Sequence, residues 1–331
     1  PAPGTTAASL AEDALRRYQE TLLSEAVVAG LVQAIDGLRG DDLAAPAQLL
    51  SQLVLRSSQC ARQFLEAGGL DEGLVRGLLA PQNPAAVLVD SLLAVSQLAR
   101  LSQRHYPAIA RAGVCDRVGR LLTHDDPGVR ARTCNLLGNM CRHSGYFYER
   151  IARRGVLNSL IDRCEDVDRT TRKFACFAIG NAGFHSDALY PELRVAVPPL
   201  VRLLGDEEDK TRANAAAALG NLVRNSAALC GDLIRAGALE RLVELATGPE
   251  AAAEAAGSGG DGGGGGGDKS GGDGQSPLKI ALFSLGNLCT HRECRELLLA
   301  QGFELKVEAL AGSPDAAIRK YVARVLSKIR G

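Results

Sequence analysis

Apolar residues recur along the chain at the three- and four-residue spacing of amphipathic helices, and polar residues return at fixed places within that pattern. The clearest copies are CNLLGNMCRHS at 134–144, CFAIGNAGFHS at 176–186, AAALGNLVRNS at 216–226 and LFSLGNLCTHR at 282–292. Weaker copies precede them, LLSQLVLRSS at 49–58 and LLAVSQLARLS at 92–102. Successive copies lie close to 42 residues apart, and a Gly-rich run lengthens the last interval. The polar residues are therefore rows of a repeat, and none of them is by itself an active site.

Each repeat contains three predicted helices, as the copy at 186–226 illustrates. Ser186 is a candidate N-cap for a short first helix, because hydroxyl oxygens accept hydrogen bonds from the free N–H groups of a helix start. Pro198 and Pro199 fit the first turn of a second helix that ends at Gly205. An acidic turn then leads into the long third helix, TRANAAAALGNLVRN. The chain is therefore predicted to be an all-α solenoid of about seven repeats of roughly 42 residues.

The domain prediction is a single solenoid over 10–331, preceded by a disordered segment at 1–9. The run at 248–277 is predicted to be a flexible Gly-rich insertion between the second and third helices of the sixth repeat. It does not match a phosphate-binding loop, because Asp268 separates its glycine run from the lysine and no strand precedes it.

Composition narrows the classes of function. Lys plus Arg and Asp plus Glu both number 38, so no net charge attracts the chain to nucleic acid or to an anionic membrane. Aromatic residues make up 4% and Trp is absent, which argues against a base-stacking platform. Most of the nine cysteines lie in apolar helical patterns, as is typical of reduced thiols in a cytoplasmic protein. No signal peptide is visible, and the start at Pro1 with Met140 as the sole methionine indicates a fragment or a processed form.

The repeat pattern resembles the armadillo family, on the second-helix pattern G-(A/V/G)-(L/V)-x-x-L-V-x-L-L and the third-helix pattern V-R-x-x-A-x-x-A-L-G-N-L. The stretch CFAIGNAGFHSDALYPELRVAVPPLVRLLGDEEDKTRANAAAALGNLVRNS also resembles the C-terminal armadillo region of Fused-type serine/threonine kinases. The first resemblance implies a right-handed solenoid whose long helices line a concave groove for an extended or helical protein partner. The second implies a regulatory or localising region of a kinase, in ciliary central-pair assembly, Hedgehog-type signalling or cytokinesis. The same resemblance implies kinesin-like or microtubule-associated partners and a location in the cytoplasm, at the cilium or axoneme, or at the cytoskeleton.

Two polar rows supply the candidate partner-binding residues. The amide row on the long helices consists of Asn139, Asn181, Asn221 and Asn287. A carboxamide both donates and accepts, so these residues either bind the main chain of a partner peptide or tie adjacent repeats together. In nuclear-import adaptors of the armadillo family a Trp precedes each such Asn by four residues, and here those positions hold Asn135, Phe177, Ala217 and Phe283. Basic nuclear-localisation peptides are therefore not expected as ligands.

The basic row lies near the ends of the same helices and contains Arg132, Arg142, Arg172, Lys173, Arg212 and Arg224. Cations at a helix start oppose the helix dipole and need another explanation. They either pair with the acidic turns that precede them or form a positive groove for an acidic partner.

A histidine row, His143, His185 and His291, suggests a metal site, but repeat geometry argues against it. Equivalent positions in stacked repeats lie roughly 10 Å apart, whereas zinc ligands lie about 2 Å from the ion. No metal, cofactor or small-molecule substrate is therefore predicted. The sequence holds no G-x-S-x-G, H-E-x-x-H or kinase glycine-loop motif, so this chain is not expected to be an enzyme. Whether the parent protein is an enzyme stays open, and the resemblance to Fused-type kinases implies that a kinase domain would then lie outside these residues. The alternatives are a structural solenoid subunit of an assembly such as the axoneme, or a generic cytosolic armadillo adaptor.

Overall fold

The computed structural model describes residues 25–153, 155–256 and 276–331. All regular secondary structure in these ranges is helical, which confirms the all-α prediction. The predicted disordered segment at 1–9 lies outside the described residues. Among the described residues, no single helix is long and apolar enough to cross a membrane. The pair Ala85–Leu101 and Gln103–Arg111 reaches the required length and apolar character together, but the two helices meet at an angle of 120°.

The helices form two compact units, one up to His143 and one from Ser144 onward. The first unit contains α1 (Glu25–Gly37), α2 (Ala44–Arg56), α3 (Ser58–Glu66), α4 (Glu72–Leu78), α5 (Ala85–Leu101), α6 (Tyr106–Arg111), α7 (Val118–Leu121) and α8 (Pro127–Met140). The second contains α9 (Tyr148–Arg153), α10 (Val156–Asp162), α11 (Arg169–Ala182), α12 (Tyr190–Leu193), α13 (Val197–Leu203), α14 (Asp209–Asn221), α15 (Cys230–Arg235), α16 (Ala238–Thr247), α17 (Pro249–Ala255), α18 (Pro277–Leu288), α19 (Arg292–Ala300), α20 (Phe303–Glu308) and α21 (Ala316–Arg330). One continuous domain over 10–331 stays a prediction.

Long third helices pack side by side within each unit. In the first unit α5 lies between α2 and α8, and in the second the order is α11, α14, α18 and α21. Short first and second helices cover one side of each long helix, as α13 covers α14 and α16 covers α18. Fully buried leucines such as Leu219 and Leu285 fill the spaces, each contributing about 2 kcal/mol relative to exposure. Three helices per repeat were predicted from the sequence, and these elements have that order.

The acidic turns before the long helices act as N-caps. The side chains of Asp126 and Asp168 accept from the backbone N–H groups of Val129, at 3.0 Å, and Thr171, at 2.7 Å. Asp315 does the same for Ile318 at 3.2 Å, although Glu208 at the start of α14 makes no such bond. Each bond satisfies one of the N–H groups that a helix start leaves unpaired, so the turn sequence fixes where the long helix begins.

The predicted flexible insertion at 248–277 begins with a helix, α17, which corrects the expectation for its first part. Pro at the first position and a run of Ala and Glu favour helix there, although the overall composition suggested a linker. The Ala255 carbonyl accepts a bond of 2.8 Å from the Ser313 hydroxyl, which attaches α17 to the turn before α21. At the other end, Ser276 caps α18 and Pro277 is its first residue. The central part, 257–275, lies outside the described residues.

Glycine in the repeated Gly-Asn pair allows two long helices to approach closely. A Cβ atom at Gly220 would lie 2.8 Å from the Cα atom of Ser284 on α18, closer than real Cβ contacts. At Gly180 the corresponding distance to the Cα atom of Ala218 would be 3.3 Å. Gly286 is different, because the nearest atoms, at 3.6 Å, belong to side chains on α21. The same motif position is therefore under unequal steric constraint along the chain.

We predict that Gly220→Ala lowers the free energy of unfolding by about 1 to 3 kcal/mol, because α18 must shift to admit the methyl group. Gly286→Ala is the matched control, since a Cβ atom there meets ordinary contact distances and alanine favours helix by about 1 kcal/mol. It is expected to leave the urea midpoint unchanged or to raise it. Equal losses in the two variants, measured by urea unfolding followed by circular dichroism, would contradict this account of the close approach.

Candidate partner-binding surface

The amide row ties long helices together in the second unit. Asn221 is 9% exposed and donates from Nδ2 to the carbonyl oxygen of Gly180, at 3.0 Å. Asn287 is 6% exposed and donates in the same way to the Gly220 carbonyl, at 3.1 Å. In the next repeat Lys328 takes the amide position, and its Nζ lies 2.8 Å from the Gly286 carbonyl. Each bond joins one long helix to the glycine of the preceding Gly-Asn pair.

Asn139 and Asn181, the other two members of the amide row, have other surroundings, and so does Gln97, which holds the corresponding position on α5. Asn139 on α8 is buried and donates to the hydroxyl oxygen of Ser96 on α5, at 2.8 Å. Gln97 on α5 donates to the carbonyl of Leu55, 3.4 Å away on α2. Asn181 is partly accessible on α11. The geometry of the row thus favours the tying role, and contact of these amides with a partner's main chain stays a prediction.

A column of arginines closes the turns that precede the long helices. Each arginine lies four residues after an N-cap position and donates through Nη1 to carbonyl oxygens of its own turn. Arg130 bonds to the carbonyls of His124 and Asp125 at 2.9 and 2.8 Å, and Arg319 bonds to those of Ser313 and Pro314 at 2.7 Å. Arg172 and Arg212 make the same bond to the carbonyls of Asp166 and Asp206, at 3.0 Å each. These side chains therefore serve the fold.

Arg172 also pairs with the acidic turn of the following repeat. Its Nε lies 2.8 Å from the Oδ2 of Asp206, whose side chain is 5% exposed, and its Nη2 lies 3.3 Å from Glu207. The hydrogen bond to Asp206 raises the pKa of the Arg172 guanidinium. Lys173 pairs with Glu208 at 3.2 Å, and Arg212 with Asp209 and Glu250. Arg172, Lys173 and Arg212, which the sequence suggests as groove residues, therefore form ion pairs with acidic residues, as the pairing interpretation describes.

The remaining basic candidates differ in environment. Burial raises the pKa of the Asp90 carboxyl, and the charge of Arg132 partly opposes that shift. Arg142 is exposed, just beyond the end of α8. Arg224 is exposed beyond α14, where its Cζ lies 4.2 Å from the centroid of the Phe184 ring. The candidate set is therefore not one cluster, and only part of it is available to a partner.

The histidine row satisfies carbonyl groups at the ends of neighbouring long helices. The Nε2 of His143 lies 2.8 Å from the Arg100 carbonyl, and that of His291 lies 2.5 Å from the Val223 carbonyl. Asn225, in the same position of another repeat, donates to the Phe184 carbonyl at 3.0 Å. The last carbonyls of a helix lack internal donors, so these bonds complete the helix ends. No group of three or more His, Cys, Asp or Glu side chains able to hold a metal occurs in the described residues.

A row of tyrosines in the first helices joins them to the long helices, a role that was not predicted from the sequence. The hydroxyls of Tyr106, Tyr148 and Tyr190 donate to the carbonyls of Asn139, Asn181 and Asn221 at 2.7–2.8 Å. Each hydroxyl also accepts from a backbone N–H four residues further on, in His143, His185 or Asn225. The 42-residue spacing of the tyrosines was a visible signal, but cysteines replace them in other repeats, at Cys60, Cys230 and Cys294.

On each long helix of the second unit, one set of accessible residues recurs every three or four positions and so lies along one stripe of the helix and its C-terminal end. We call this set the long-helix face. Its residues are Thr170, Lys173, Phe177, Asn181 and Phe184; Lys210, Asn214, Ala217 and Arg224; Ile280, Phe283 and Thr290; and Ala317, Lys320, Tyr321, Arg324 and Lys328. Half-exposed aromatic rings and cations occur together in this set, and the exposed Asp209 lies beside it, next to Lys210 at the start of α14. Arg324 stacks on Phe283 at 4.5 Å, in the manner of Arg224 on Phe184.

The long helices of the second unit carry mostly basic residues. The four long helices contain one acidic residue, Asp209, against eleven basic residues: Arg169, Arg172, Lys173, Lys210, Arg212, Lys279, Arg319, Lys320, Arg324, Lys328 and Arg330. The first and second helices carry both signs of charge, as Glu240, Arg241 and Glu244 do on α16. Several of the long-helix cations pair with carboxylates, and the others make part of the long helices basic within a chain of neutral balance.

Comparisons with known proteins agree with this architecture. A family model described as HEAT-like repeat matches residues 169–222. An engineered protein of known structure superposes with a TM-score of 0.77 at 20% identity, covering 92% of this chain and 68% of its own. A designed armadillo repeat protein in complex with the peptide (KR)4 superposes with a TM-score of 0.60 at 18% identity, covering 86% and 99%. The chain has the armadillo- and HEAT-like repeat fold.

Sequence relatives of this repeat chain carry kinase names. It is 39% identical over 322 residues to the serine/threonine-protein kinase TIO of Arabidopsis thaliana, which covers 97% of this chain and 23% of that protein. It is 32% identical over 213 residues to serine/threonine-protein kinase 36 of Mus musculus, covering 61% and 16%. The predicted similarity to Fused-type kinases is confirmed, and the chain spans less than a quarter of the length of these relatives.

Arg172 and Arg224 provide a test of which cations belong to the fold. We predict that Arg172→Ala lowers the free energy of unfolding by about 2 to 3 kcal/mol, because the buried Asp206 carboxylate loses its partner. Arg224→Ala, which removes an exposed ring contact, is expected to cost about 0.5 kcal/mol. Urea unfolding of both variants measures the difference, and comparable losses would place Arg224 among the structural arginines.

Proposed function

We propose that this chain is the partner-binding region of a Fused-like serine/threonine kinase and that the long-helix face is its binding surface. The similarity to two named kinases over a small share of their length supports a non-catalytic region of a longer kinase. The observation that carries the choice of surface is the stripe of accessible aromatic and basic side chains on adjacent long helices. Aromatic residues and arginine are enriched where protein interfaces hold most of their binding energy.

The biological setting is part of the same proposal. The resemblance to Fused-type kinases favours a ciliary or cytoskeletal partner, including kinesin-like or microtubule-associated proteins, and a place in the cytoplasm, cilium or cytoskeleton. The designed armadillo protein of similar fold is in complex with a peptide, which supports a peptide segment as the bound element. The alternative, a purely structural subunit, would favour outward apolar patches in place of a charged surface. Exposed apolar side chains such as Val167 and Leu305 lie off the long-helix face.

The test is affinity capture from a cell lysate with two matched double variants. Phe177→Ala with Arg224→Ala removes one ring and one cation from the long-helix face. Leu299→Ala with Arg235→Ala removes an exposed apolar side chain and an exposed cation from first helices. We predict that partners identified by mass spectrometry are lost with the first variant and kept with the second.

A thermal melt of each variant controls for folding, because Phe177 is only partly accessible. Capture of the same proteins by the wild type and by both folded variants would show that the binding surface lies elsewhere. Reversing the charges of Arg132, Arg172 and Arg212 is a poorer test, because Arg172 and Arg212 hold turns of the fold.

A further inference from the structure

We infer that the segment bound by the long-helix face is an extended acidic peptide, recognised by side-chain charge and not by the amide row. This inference rests on the proposed function and names the chemistry of the partner. It starts from the cations of the face that the fold leaves accessible. Lys210, Arg224 and Lys320 are exposed, and none forms an ion pair with a carboxylate within the described part of the chain. Each can accept a carboxylate without losing a structural bond.

The amide donors, by contrast, are already engaged. The Nδ2 groups of Asn221 and Asn287 each donate to a glycine carbonyl. The Oδ1 of Asn287 also accepts from Nη2 of Arg324, at 2.7 Å. A peptide main chain would have to break bonds between repeats to reach these groups, which costs about 1 to 3 kcal/mol for each buried group left unpaired. Charge on the peptide side chains is therefore the available basis of recognition.

An arginine held over an aromatic ring can bind a carboxylate through the N–H groups that the ring does not cover. The Cζ atom of Arg224 lies over the Phe184 ring, 4.2 Å from its centre, which is a cation–π contact. The N–H groups of Arg224 lie in the guanidinium plane and point outward from the edge, where they match the two oxygens of a carboxylate. The stacking also restricts the side chain before binding, so less conformational entropy is lost on complex formation.

Helix spacing sets the spacing of acidic residues in the partner. Packed helices lie about 8 to 10 Å apart. In the polyproline II conformation every third residue points the same way, and the rise of about 3.1 Å per residue puts such residues about 9 Å apart. Lys210 on α14 and Lys320 on α21 are separated by α18, so an extended segment meets both when its acidic residues lie six positions apart, a spacing that an acidic residue at every third position includes. The half-exposed rings of Phe177 and Phe283 offer apolar contact to the residues between them.

The experiment is fluorescence anisotropy with a labelled twelve-residue peptide, (Glu-Ala-Pro)4, and its charge-reversed counterpart, (Lys-Ala-Pro)4. We predict that the acidic peptide binds the wild-type chain and that the basic peptide does not. Lys210→Glu with Arg224→Glu is expected to weaken binding at least tenfold, and so is an increase of NaCl from 50 to 300 mM. The matched control, Arg153→Glu with Arg235→Glu, changes two exposed cations on first helices and is expected to bind like the wild type.

Failure of the acidic peptide to bind, equal binding of the two peptides, or equal affinity in both double variants would each overturn the inference. These outcomes are separable from failure of the proposed function. If lysate partners are lost with Phe177→Ala and Arg224→Ala while the acidic peptide does not bind, the face is the binding surface and its ligand is not acidic. If no lysate partner depends on the face, the proposed surface itself is wrong.

Discussion

A hydrogen bond from one long helix to the glycine carbonyl of the preceding long helix sets the register of the second unit. Asn221, Asn287 and Lys328 each supply the donor. The short asparagine side chain reaches the carbonyl only where helix backbones are close, and the absence of a Cβ atom at Gly220 permits that contact. A buried carbonyl that accepts no bond is costly, so the Gly-Asn pair specifies both the distance between repeats and their alignment. The alanines and leucines around the pair fill the space between the helices but do not determine the alignment of the repeats.

The residues that repeat most regularly are the ones that the fold uses. The arginine column closes turns, the histidine row satisfies helix ends, and the tyrosine row joins first helices to long helices. Function is then better sought among positions that vary from repeat to repeat. On the long-helix face the position four before the amide holds Phe177, Ala217, Phe283 and Arg324 in turn. A surface whose repeats differ in this way can distinguish one peptide sequence from another, which identical repeats cannot do.

The three-helix repeat was predictable, because its period appears in every copy and proline, glycine and acidic residues mark the helix boundaries. The roles of the polar rows were only partly predictable. Arg172 and Asp206 lie 34 residues apart, so their pairing depends on how adjacent repeats stack. The acceptor of the amide row is a backbone carbonyl, which carries no signature in the sequence. The helix α17 was missed because the glycine content of the whole insertion outweighed its short Ala-Glu run.

Neutral net charge is compatible with a selective basic surface, because screening makes electrostatic recognition local. At physiological ionic strength the Debye length is about 8 Å, close to the distance of about 8 to 10 Å between packed helices. A cation on one repeat therefore acts mainly on the nearest charge of a bound peptide, and charges more than one repeat away are largely screened from it. Recognition then depends on the spacing of charges along the partner more than on its total charge. The distance between stacked repeats therefore sets the spacing of the charges that a partner must carry.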